Sequence, residues 1–229
     1  MTQLLDQLKS DEPCLIVSIP TNTVEAALAA QDGGADAVKV HCNVTHHATG
    51  VTFGTLDEEE PRLRAILEAI DIPAGLVPGE TLDLDVGYFE KARDMGFTTM
   101  DAYAQFWPAI VYKVEGLELA AAFDSSYSWE EMRALDSLPW VDIVEPSVVP
   151  VEEYGRLLSL RDVAAYRALI EMLDKPVIIP TQRRIRTDDI PALLSVGAKN
   201  LMIGAVVTGK KPEDVERVTR EFRQALDAG

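Results

Sequence analysis

Short apolar runs alternate along the whole chain with longer stretches in which apolar residues recur every three or four positions. The short runs are nearly unbroken, which is typical of strands buried on both faces of a parallel sheet. Eight of these runs are predicted as strands, at 14–20, 36–42, 73–79, 98–106, 118–124, 141–149, 176–181 and 200–205. The intervening periodicity predicts helices over 23–31, 60–70, 85–96, 128–138, 154–173, 187–197 and 212–226.

Alternation of strands and helices predicts an α/β fold with a parallel sheet. Eight strands within 229 residues favour a closed (βα)8 TIM barrel, with a doubly wound open sheet as the alternative. No linker-like composition divides the chain, so residues 1–229 are predicted to form a single domain. Residues 106–116, between the fourth and fifth strands, have room for barely two helical turns, so βα unit 4 is expected to be shortened.

The segment 176–209 combines a buried strand, a basic loop, a helix, a second buried strand and a glycine turn. In TIM barrels, the loops after strands seven and eight commonly bind a substrate phosphate. Arg183 and Arg184 stand out there against a net charge of −17, and Arg184 is the first choice for a phosphate contact. A solvated loop is the alternative. The acidic charge itself disfavours non-specific nucleic-acid binding.

Polar residues at the ends of the predicted strands are candidates for catalysis, because catalytic groups of TIM barrels project from these ends. Side chains on a strand alternate between its two faces, so Lys39, His41 and Asn43 are expected to share the lumen face. The predicted catalytic residues are Lys39, His41, Asp101, Asp124 and Glu145. The predicted substrate contacts from the same pattern are Asn43, Tyr103 and Gln105.

Lys39 and His41 each allow a structural and a catalytic interpretation. Lys39 could form a buried ion pair with Glu145, or it could act as a general acid or base. A third possibility is a Schiff base between Lys39 and a substrate carbonyl. His41 could move protons near neutral pH, or it could be a hydrogen-bonded structural histidine.

Three motifs carry a resemblance to a known family. They are LIVSIP at strand one, GGADAVKVH at strand two and RIRTDDIPALLSVGAKNLMIGAVVTGKKPEDVERVTREF at the end of the chain. The chain resembles the ribulose-phosphate-binding barrels, and its pattern is most similar to that of the N-acetylmannosamine-6-phosphate 2-epimerases. The resemblance implies a phosphate bound by loops seven and eight, here around Arg184, Gly204 and Ala205. It also implies a lysine and a carboxylate that move protons next to a carbonyl.

The chain departs from the epimerase pattern at the catalytic positions. The epimerase lysine belongs on strand three, whereas residues 73–79 contain no lysine. The epimerase glutamate of strand seven falls at Thr181 or Gln182, both of which are counted among the predicted substrate contacts. Pro20 stands where the family has a glutamine. The scaffold and phosphate site are therefore expected to carry over, and the epimerase catalytic residues are not.

Two long loops are expected to cover the mouth of the barrel. Residues 43–60 are predicted to form a lid, and residues 146–160 a second flap. His46 and His47 in the lid could bind a divalent metal together with His41 and Asp101. Adjacent histidines point in different directions and no HxH or HxxxH spacing occurs, so no metal or other cofactor is expected.

Apolar residues in the shortened unit predict a contact between identical chains, with a local aromatic plug as the alternative. This patch comprises Phe106, Trp107, Ile110, Val111 and Tyr112. The N-terminal residues show no signal-peptide pattern and no apolar run approaches membrane length, so we expect a cytoplasmic protein with no membrane partner. Cys14 and Cys42 fall within predicted strands and are expected to be buried free thiols.

These features predict an enzyme that acts on a small phosphorylated sugar or sugar-like keto compound. An isomerase or epimerase that removes a proton next to a carbonyl is the leading interpretation. An aldolase-type lyase on the same scaffold is the second. A non-catalytic barrel that binds a phosphorylated ligand is the third, because a fold by itself does not establish a function.

Overall fold

Eight parallel strands form one sheet in the computed structural model, which describes residues 4–46 and 48–229. The strands are β1 Cys14–Ser18, β2 Ala37–His41, β3 Ala74–Val77, β4 Thr99–Tyr103, β5 Glu118–Phe123, β6 Ile143–Pro146, β7 Ile179–Pro180 and β8 Asn200–Ile203. Their order in the sheet is β6-β5-β4-β3-β2-β1-β8-β7. Each predicted apolar run therefore contains one strand, shorter than predicted at its C-terminal end.

The barrel is closed between β6 and the residues that lead into β7. Val144 pairs with Val177 in a parallel bridge. The Val144 amide donates to the Pro176 carbonyl at 3.0 Å, and the Ile178 amide donates to the Val144 carbonyl at 2.9 Å. The predicted TIM barrel is confirmed, and the open-sheet alternative is wrong.

Helices follow most strands, and most of them pack against the outside of the barrel. They are α1 Leu4–Lys9, α2 Val24–Asp32, α3 Leu56–Ala69, α4 Val86–Met95, α5 Trp129–Asp136, α6 Leu160–Met172, α7 Ile190–Leu194, α8 Ala205–Thr208 and α9 Pro212–Asp227. Helix α3 begins four residues earlier than predicted, because Thr55 and Glu58 form a capping box. Helix α6 begins six residues later than predicted, at a second capping box formed by Ser159 and Asp162.

The connection between β4 and β5 contains two 3₁₀ turns, Ala104–Phe106 and Ala109–Lys113, as expected for a shortened unit 4. The Trp107 indole packs inward and donates to the Ala120 carbonyl at 3.0 Å. Val111 is buried, whereas Tyr112 is 59% exposed. Much of the predicted apolar patch is thus a local plug, and a contact between identical chains stays a prediction.

The lower part of the barrel lumen is apolar. Ile16, Ile143, Ile178 and Met202 fill it, and Leu4 and Leu8 of α1 join the same cluster. Charged side chains lie above this layer, so any site is confined to the C-terminal mouth, where the strand-to-helix loops meet. Cys14 and Cys42 are buried free thiols. In the part of the chain that the structure describes, every helix is too short or too polar to cross a bilayer.

Candidate active site

An ion cluster from three strands forms the floor of the barrel mouth. Lys39 on β2 donates from Nζ to Oδ2 of Asp101 on β4 at 2.9 Å and to Oε2 of Glu145 on β6 at 2.8 Å. All three side chains are largely buried. Each occupies an inward-facing position of its strand, so the period of two along parallel strands brings them to one level of the lumen.

The charges of this cluster are strongly coupled. Burial by itself lowers the pKa of Lys39, but the negative charge of Asp101 and the hydrogen bonds to Asp101 and Glu145 outweigh it, so the pKa is raised. Burial and the neighbouring charge of Asp101 raise the pKa of Glu145 to about 8, against the opposing effect of Lys39. Lys39 is therefore an ammonium, and Glu145 holds a proton near neutral pH.

Two atoms of the cluster have hydrogen-bonding capacity left over. Among residues 4–46 and 48–229, Oδ1 of Asp101 is buried without a hydrogen-bond donor. The neighbouring carboxyl group of Glu145 interacts with Asp101, which is one cause of the raised pKa of Glu145. An ammonium has three N–H donors and Lys39 uses two of them on carboxylates, so one donor is left for a ligand.

A cavity of about 160 Å³ lies directly above the cluster and is large enough for a small substrate. Its walls come from the C-terminal ends of the strands and from the loops that follow them. Besides the cluster, its polar lining comprises Ser18, His41, His46, Glu80, Tyr103, Ser147, Tyr154, Thr181 and Gln182, together with the backbone of Gly204 and Ala205.

His41 lies on the wall of this cavity as a neutral base. Its Nε2 is 3.3 Å from Oγ of Ser18, and its ring stacks on Phe53 with centroids 5.1 Å apart. Burial is the main cause that lowers the pKa of His41 well below its usual range, and His46 and Lys39 add to the effect. Ser18 was not predicted as a site residue. It lies two residues after Ile16 in LIVSIP, so both side chains face the lumen.

Residues 43–46 and 48–54 of the predicted lid form a β-hairpin, which we call the lid hairpin. Thr45 and Thr52 form an antiparallel bridge, and the His46 amide donates to the Val51 carbonyl at 2.9 Å. The ammonium of Lys210 donates to the Thr49 carbonyl at 2.7 Å and ties the hairpin tip to the segment before α9. The hairpin therefore covers the cavity from the β2 side.

Asn43 does not share the lumen face with Lys39 and His41. Strand β2 ends at His41, and Asn43 has a φ of 50°, so the alternation of the strand is broken before it. Its side chain donates to the Pro78 carbonyl at 2.9 Å and lies outside the cavity lining. This expectation from the sequence was wrong, because the strand is shorter than its apolar pattern.

The predicted metal ligands only partly fall within the described structure. His47 lies outside the described residues. Within residues 4–46 and 48–229, no group of three or more histidine, cysteine, aspartate or glutamate side chains is arranged to hold a metal ion.

The second flap supplies two residues that the sequence did not identify. Ser147 donates from its hydroxyl to Oε1 of Glu145 at 3.2 Å. The Tyr154 hydroxyl accepts from Nε2 of Gln182 at 2.8 Å, and Gln182 Oε1 accepts from the Val149 amide at 3.2 Å. Gln182 thus holds the flap against the cavity. Only the length of 146–160 pointed to this loop, because its fold depends on contacts with loop seven.

Asp124 and Gln105 pair with each other outside the cavity. Nε2 of Gln105 donates to Oδ2 of Asp124 at 2.9 Å, and Gln105 is exposed. Burial alone raises the pKa of Asp124, but hydrogen bonds from Ser126 and Gln105 outweigh it and lower the pKa. Neither residue lines the cavity. The structure therefore separates them from Lys39, Asp101 and Glu145.

The two arginines of loop seven also lie outside the cavity. Arg183 points away from it and forms ion pairs with Glu153 at 2.7 Å and with Asp162 at 3.1 Å. The Arg184 side chain is exposed, while its amide donates to the Arg156 carbonyl at 2.8 Å. Successive residues of an extended segment face opposite sides, so Gln182 faces the cavity and Arg183 turns away.

Gly204 and Ala205, which the sequence predicts as part of a phosphate site, line the cavity. The Gly204 amide donates to Oγ1 of Thr181 at 3.1 Å, which places loops seven and eight side by side. Ala205 and Val206 begin α8, and first-turn amides have no partner within their own helix. Among residues 4–46 and 48–229, the cavity lining around Gly204 and Ala205 contains amides and the hydroxyls of Ser18 and Thr181, and no arginine side chain.

Comparison with known proteins shows similarity in structure only. The sequence matches no family model and no curated protein. Thiamine phosphate pyrophosphorylase from Pyrococcus furiosus is 18% identical with a TM-score of 0.66, over 94% of this chain and 96% of that one. KGPDC from Streptococcus mutans is 12% identical with a TM-score of 0.67, over 95% and 99%. Phosphoribosyl anthranilate isomerase from Thermus thermophilus is 14% identical with a TM-score of 0.66, over 94% and 98%.

Each of these chains is matched over nearly its full length, so the likeness concerns the whole barrel and not a fragment. At such low identity, it establishes the fold and leaves the reaction open. The chain is a single TIM barrel with a buried lysine and two carboxyl groups at the floor of its C-terminal cavity.

Proposed function

We propose that this protein is an enzyme that removes and returns a proton at the carbon next to the carbonyl of a small phosphorylated keto compound, as isomerases and epimerases do. The observation that carries the proposal is the Lys39 ammonium, held between Asp101 and Glu145 at the floor of a small cavity. The cluster provides both an electrophile and a proton carrier where a substrate carbonyl fits.

Lys39 acts on the substrate oxygen. Its remaining N–H donor binds the carbonyl oxygen, and the positive charge stabilises the negative charge that develops when the neighbouring proton leaves. Asp101 helps to raise the pKa of Glu145 to about 8, so Glu145 exchanges its proton near neutral pH, and the two carboxyl groups together accept the proton from carbon and return it. His41 and Ser18 contact the substrate from the β1 side as neutral hydrogen-bonding groups.

The phosphate binds where loops seven and eight line the cavity, against Thr181, Gly204 and Ala205. Backbone amides at a helix start and nearby hydroxyls bind phosphate without a positively charged side chain. This placement keeps the part of the epimerase resemblance that concerns loops seven and eight, and it replaces Arg184 by backbone groups. The cavity volume of about 160 Å³ suits a small substrate.

The similar structures support a phosphorylated substrate through their names. One of them is named for thiamine phosphate and another for phosphoribosyl anthranilate. These words describe those proteins. They support the proposal because their barrels match this one from end to end.

A Schiff base on Lys39 is disfavoured by the same geometry. Nucleophilic attack needs the neutral amine, whereas two carboxyl groups within 2.9 Å raise the pKa of Lys39. The aldolase interpretation that depends on this adduct has no supporting contact among the described residues. Borohydride trapping during turnover tests it directly, and a stable adduct on Lys39 would replace the proton-transfer mechanism by the lyase mechanism.

Isotope exchange tests the proposed function. Small keto and aldehyde sugar phosphates are incubated with the protein in heavy water, and deuterium incorporation next to the carbonyl is followed by NMR. Asp101→Asn and Glu145→Gln should each lower the exchange rate by about 100-fold or more. Asp124→Asn is the matched control, because Asp124 lies outside the cavity. Equal rates in all three variants, or no exchange with any phosphate, would refute the proposal.

A pair of variants tests the phosphate end. Gly204→Ala should fold, because the added Cβ meets Ser18 at an ordinary 3.5 Å, yet it narrows the wall where phosphate binds. We expect at least about a tenfold weaker inorganic phosphate affinity. Arg184→Ala should bind like the parent. The reverse pattern would return the phosphate to the arginine loop.

A further inference from the structure

A second cavity lies on the outside of the barrel, between α5, the flap after β6 and α6. Its volume is about 460 Å³, nearly three times that of the catalytic cavity, and the two share no lining residue. Neither the proposed reaction nor the resemblance to other barrels assigns a role to it.

One wall of this outer cavity is apolar. Trp129 and Met132 of α5, Val148 of the flap and Leu169 of α6 line it. Trp129 keeps 44% of its surface exposed at the rim, which is a large exposed fraction for an indole. A flat apolar group placed here would cover that ring and leave solvent.

The opposite wall carries buried donors that lack an acceptor. Tyr166 is only 1% exposed, and within residues 4–46 and 48–229 its hydroxyl has no hydrogen-bond partner. Nε of Arg183 is likewise buried without a partner in the described chain. Tyr166 and Arg183 both line the outer cavity. Buried donors of this kind usually have partners, so an acceptor in this cavity would complete them.

The charges around the outer cavity favour an anionic acceptor. The carboxylates of Glu153 and Asp162 are already engaged by Arg183. Arg161 also lines the cavity, is exposed, and forms no ion pair with any residue in the described ranges. A carboxylate could therefore accept from Tyr166 and Arg183 while it faces Arg161.

We propose that the outer cavity is a binding site for a small carboxylate with a flat apolar body. The apolar part lies on Trp129 and Met132, and the carboxylate accepts hydrogen bonds from Tyr166 and Arg183. Residues adjacent in sequence line the two cavities. Arg183 and Glu153 line the outer cavity, and their neighbours Gln182 and Tyr154 line the catalytic cavity. Binding there does not depend on the proposed reaction.

Methionine methyl NMR distinguishes the two cavities, since Met132 lines the outer one and Met202 the catalytic one. Naphthylacetate serves as the probe and the uncharged naphthylethanol as its isostere. We expect naphthylacetate to shift the Met132 methyl signal with a dissociation constant of ~1 mM or tighter, and to leave Met202 unchanged. The alcohol should bind about tenfold more weakly, because it lacks the charge.

Three variants make the assignment residue-specific. Tyr166→Phe should keep its stability, since the hydroxyl has no partner to lose among the described residues, and should bind naphthylacetate about fivefold to tenfold more weakly. Arg161→Gln should also weaken binding. Arg167→Gln is the matched control, because Arg167 is exposed on the same helix, pairs with Glu171 and does not line the cavity.

Four outcomes would overturn the proposal. They are an unshifted Met132 signal at millimolar probe, a shift of Met202 instead, equal affinity for the acid and the alcohol, and equal loss in Arg161→Gln and Arg167→Gln. None of them bears on isotope exchange in the catalytic cavity, so the two proposals fail separately.

Discussion

Replacing Lys39 by methionine tests whether the buried cluster stabilises the fold or serves the reaction. The substitution removes the ammonium and leaves Asp101 and Glu145 facing each other in the lumen. At an effective dielectric constant of about 20, the 2.9 Å contact between Lys39 and the charged Asp101 gives roughly 6 kcal/mol of attraction, which desolvation of the buried groups largely offsets. Removing one partner of a buried pair costs about 3–5 kcal/mol, and we expect this loss for Lys39→Met.

The pH dependence of this loss has a definite sign. In the parent, the pKa of Glu145 is raised from 4.5 to about 8, so its contribution to stability is full below pH 4.5 and declines as pH rises through 8. Lys39 lowers the pKa of Glu145, so without the ammonium the pKa of Glu145 rises further. Protonated carboxyl groups tolerate burial, so Lys39→Met should be only slightly destabilised at about pH 5 and fully destabilised at about pH 8.

The assay is urea unfolding of parent and variant at both pH values, followed by circular dichroism. The matched control replaces the whole cluster, Lys39→Met with Asp101→Leu and Glu145→Met, which removes every charge of the cluster. We expect this triple variant to be as stable as the parent or more stable, and to catalyse no isotope exchange. If Lys39→Met unfolds like the parent at both pH values, the charges are not paired in the way described. Exchange by the triple variant would remove the cluster from the mechanism.

Three further predictions concern His41, two glycines and the lid hairpin. Because the pKa of His41 is lowered, its contribution to stability is full above pH 6.5 and is lost as pH falls. His41→Asn should therefore lose less stability than the parent below about pH 6.5. Urea titrations measure this loss, and an unchanged slope of stability against pH would contradict the prediction. Gly79→Ala should lower the free energy of unfolding by well over ~1 kcal/mol, since φ is 117° and the added Cβ overlaps the loop after β2. Gly155→Ala, where φ is 79° and the space is open, should lower it by about 1 kcal/mol or less. Equal losses of stability in thermal denaturation would be inconsistent with this packing. Lys210→Met should accelerate amide exchange in the lid hairpin, whereas Lys211→Met should not; similar exchange in both would mean that the hydrogen bond to the hairpin tip does not hold it.

The sequence was sufficient to predict the barrel and the charged residues at the centre of its cavity. Unbroken apolar runs mark strands buried on both faces, and their number leaves few closed arrangements. Within such a strand, alternation places Lys39 in the lumen, and the same rule applied to β4 and β6 places Asp101 and Glu145 there. The position of a residue within its strand decides whether its side chain faces the lumen, and the apolar pattern of the sequence predicts that position.

Residues beyond the strand ends could not be placed in the same way. Asn43 leaves the lumen because β2 stops at His41. Arg183 turns to Glu153 and Asp162, which are far from it in sequence, and Tyr154 reaches the cavity only because Gln182 holds the flap. Loop conformations depend on partners that are distant along the chain, and no local pattern encodes them.

The sequence by itself therefore determined the barrel, the lysine and carboxyl groups at its floor, and the glycine turn at its mouth. Only the tertiary structure decided that Lys39 is a charged ammonium, since its state depends on two carboxyl groups contributed by other strands. It also decided that loops seven and eight present backbone amides and the Thr181 hydroxyl to the cavity, while the side chains of Arg183 and Arg184 lie outside it. The physical reason is that the period of a strand is a local property, whereas charge state and loop direction are set by neighbours that only the closed barrel brings together.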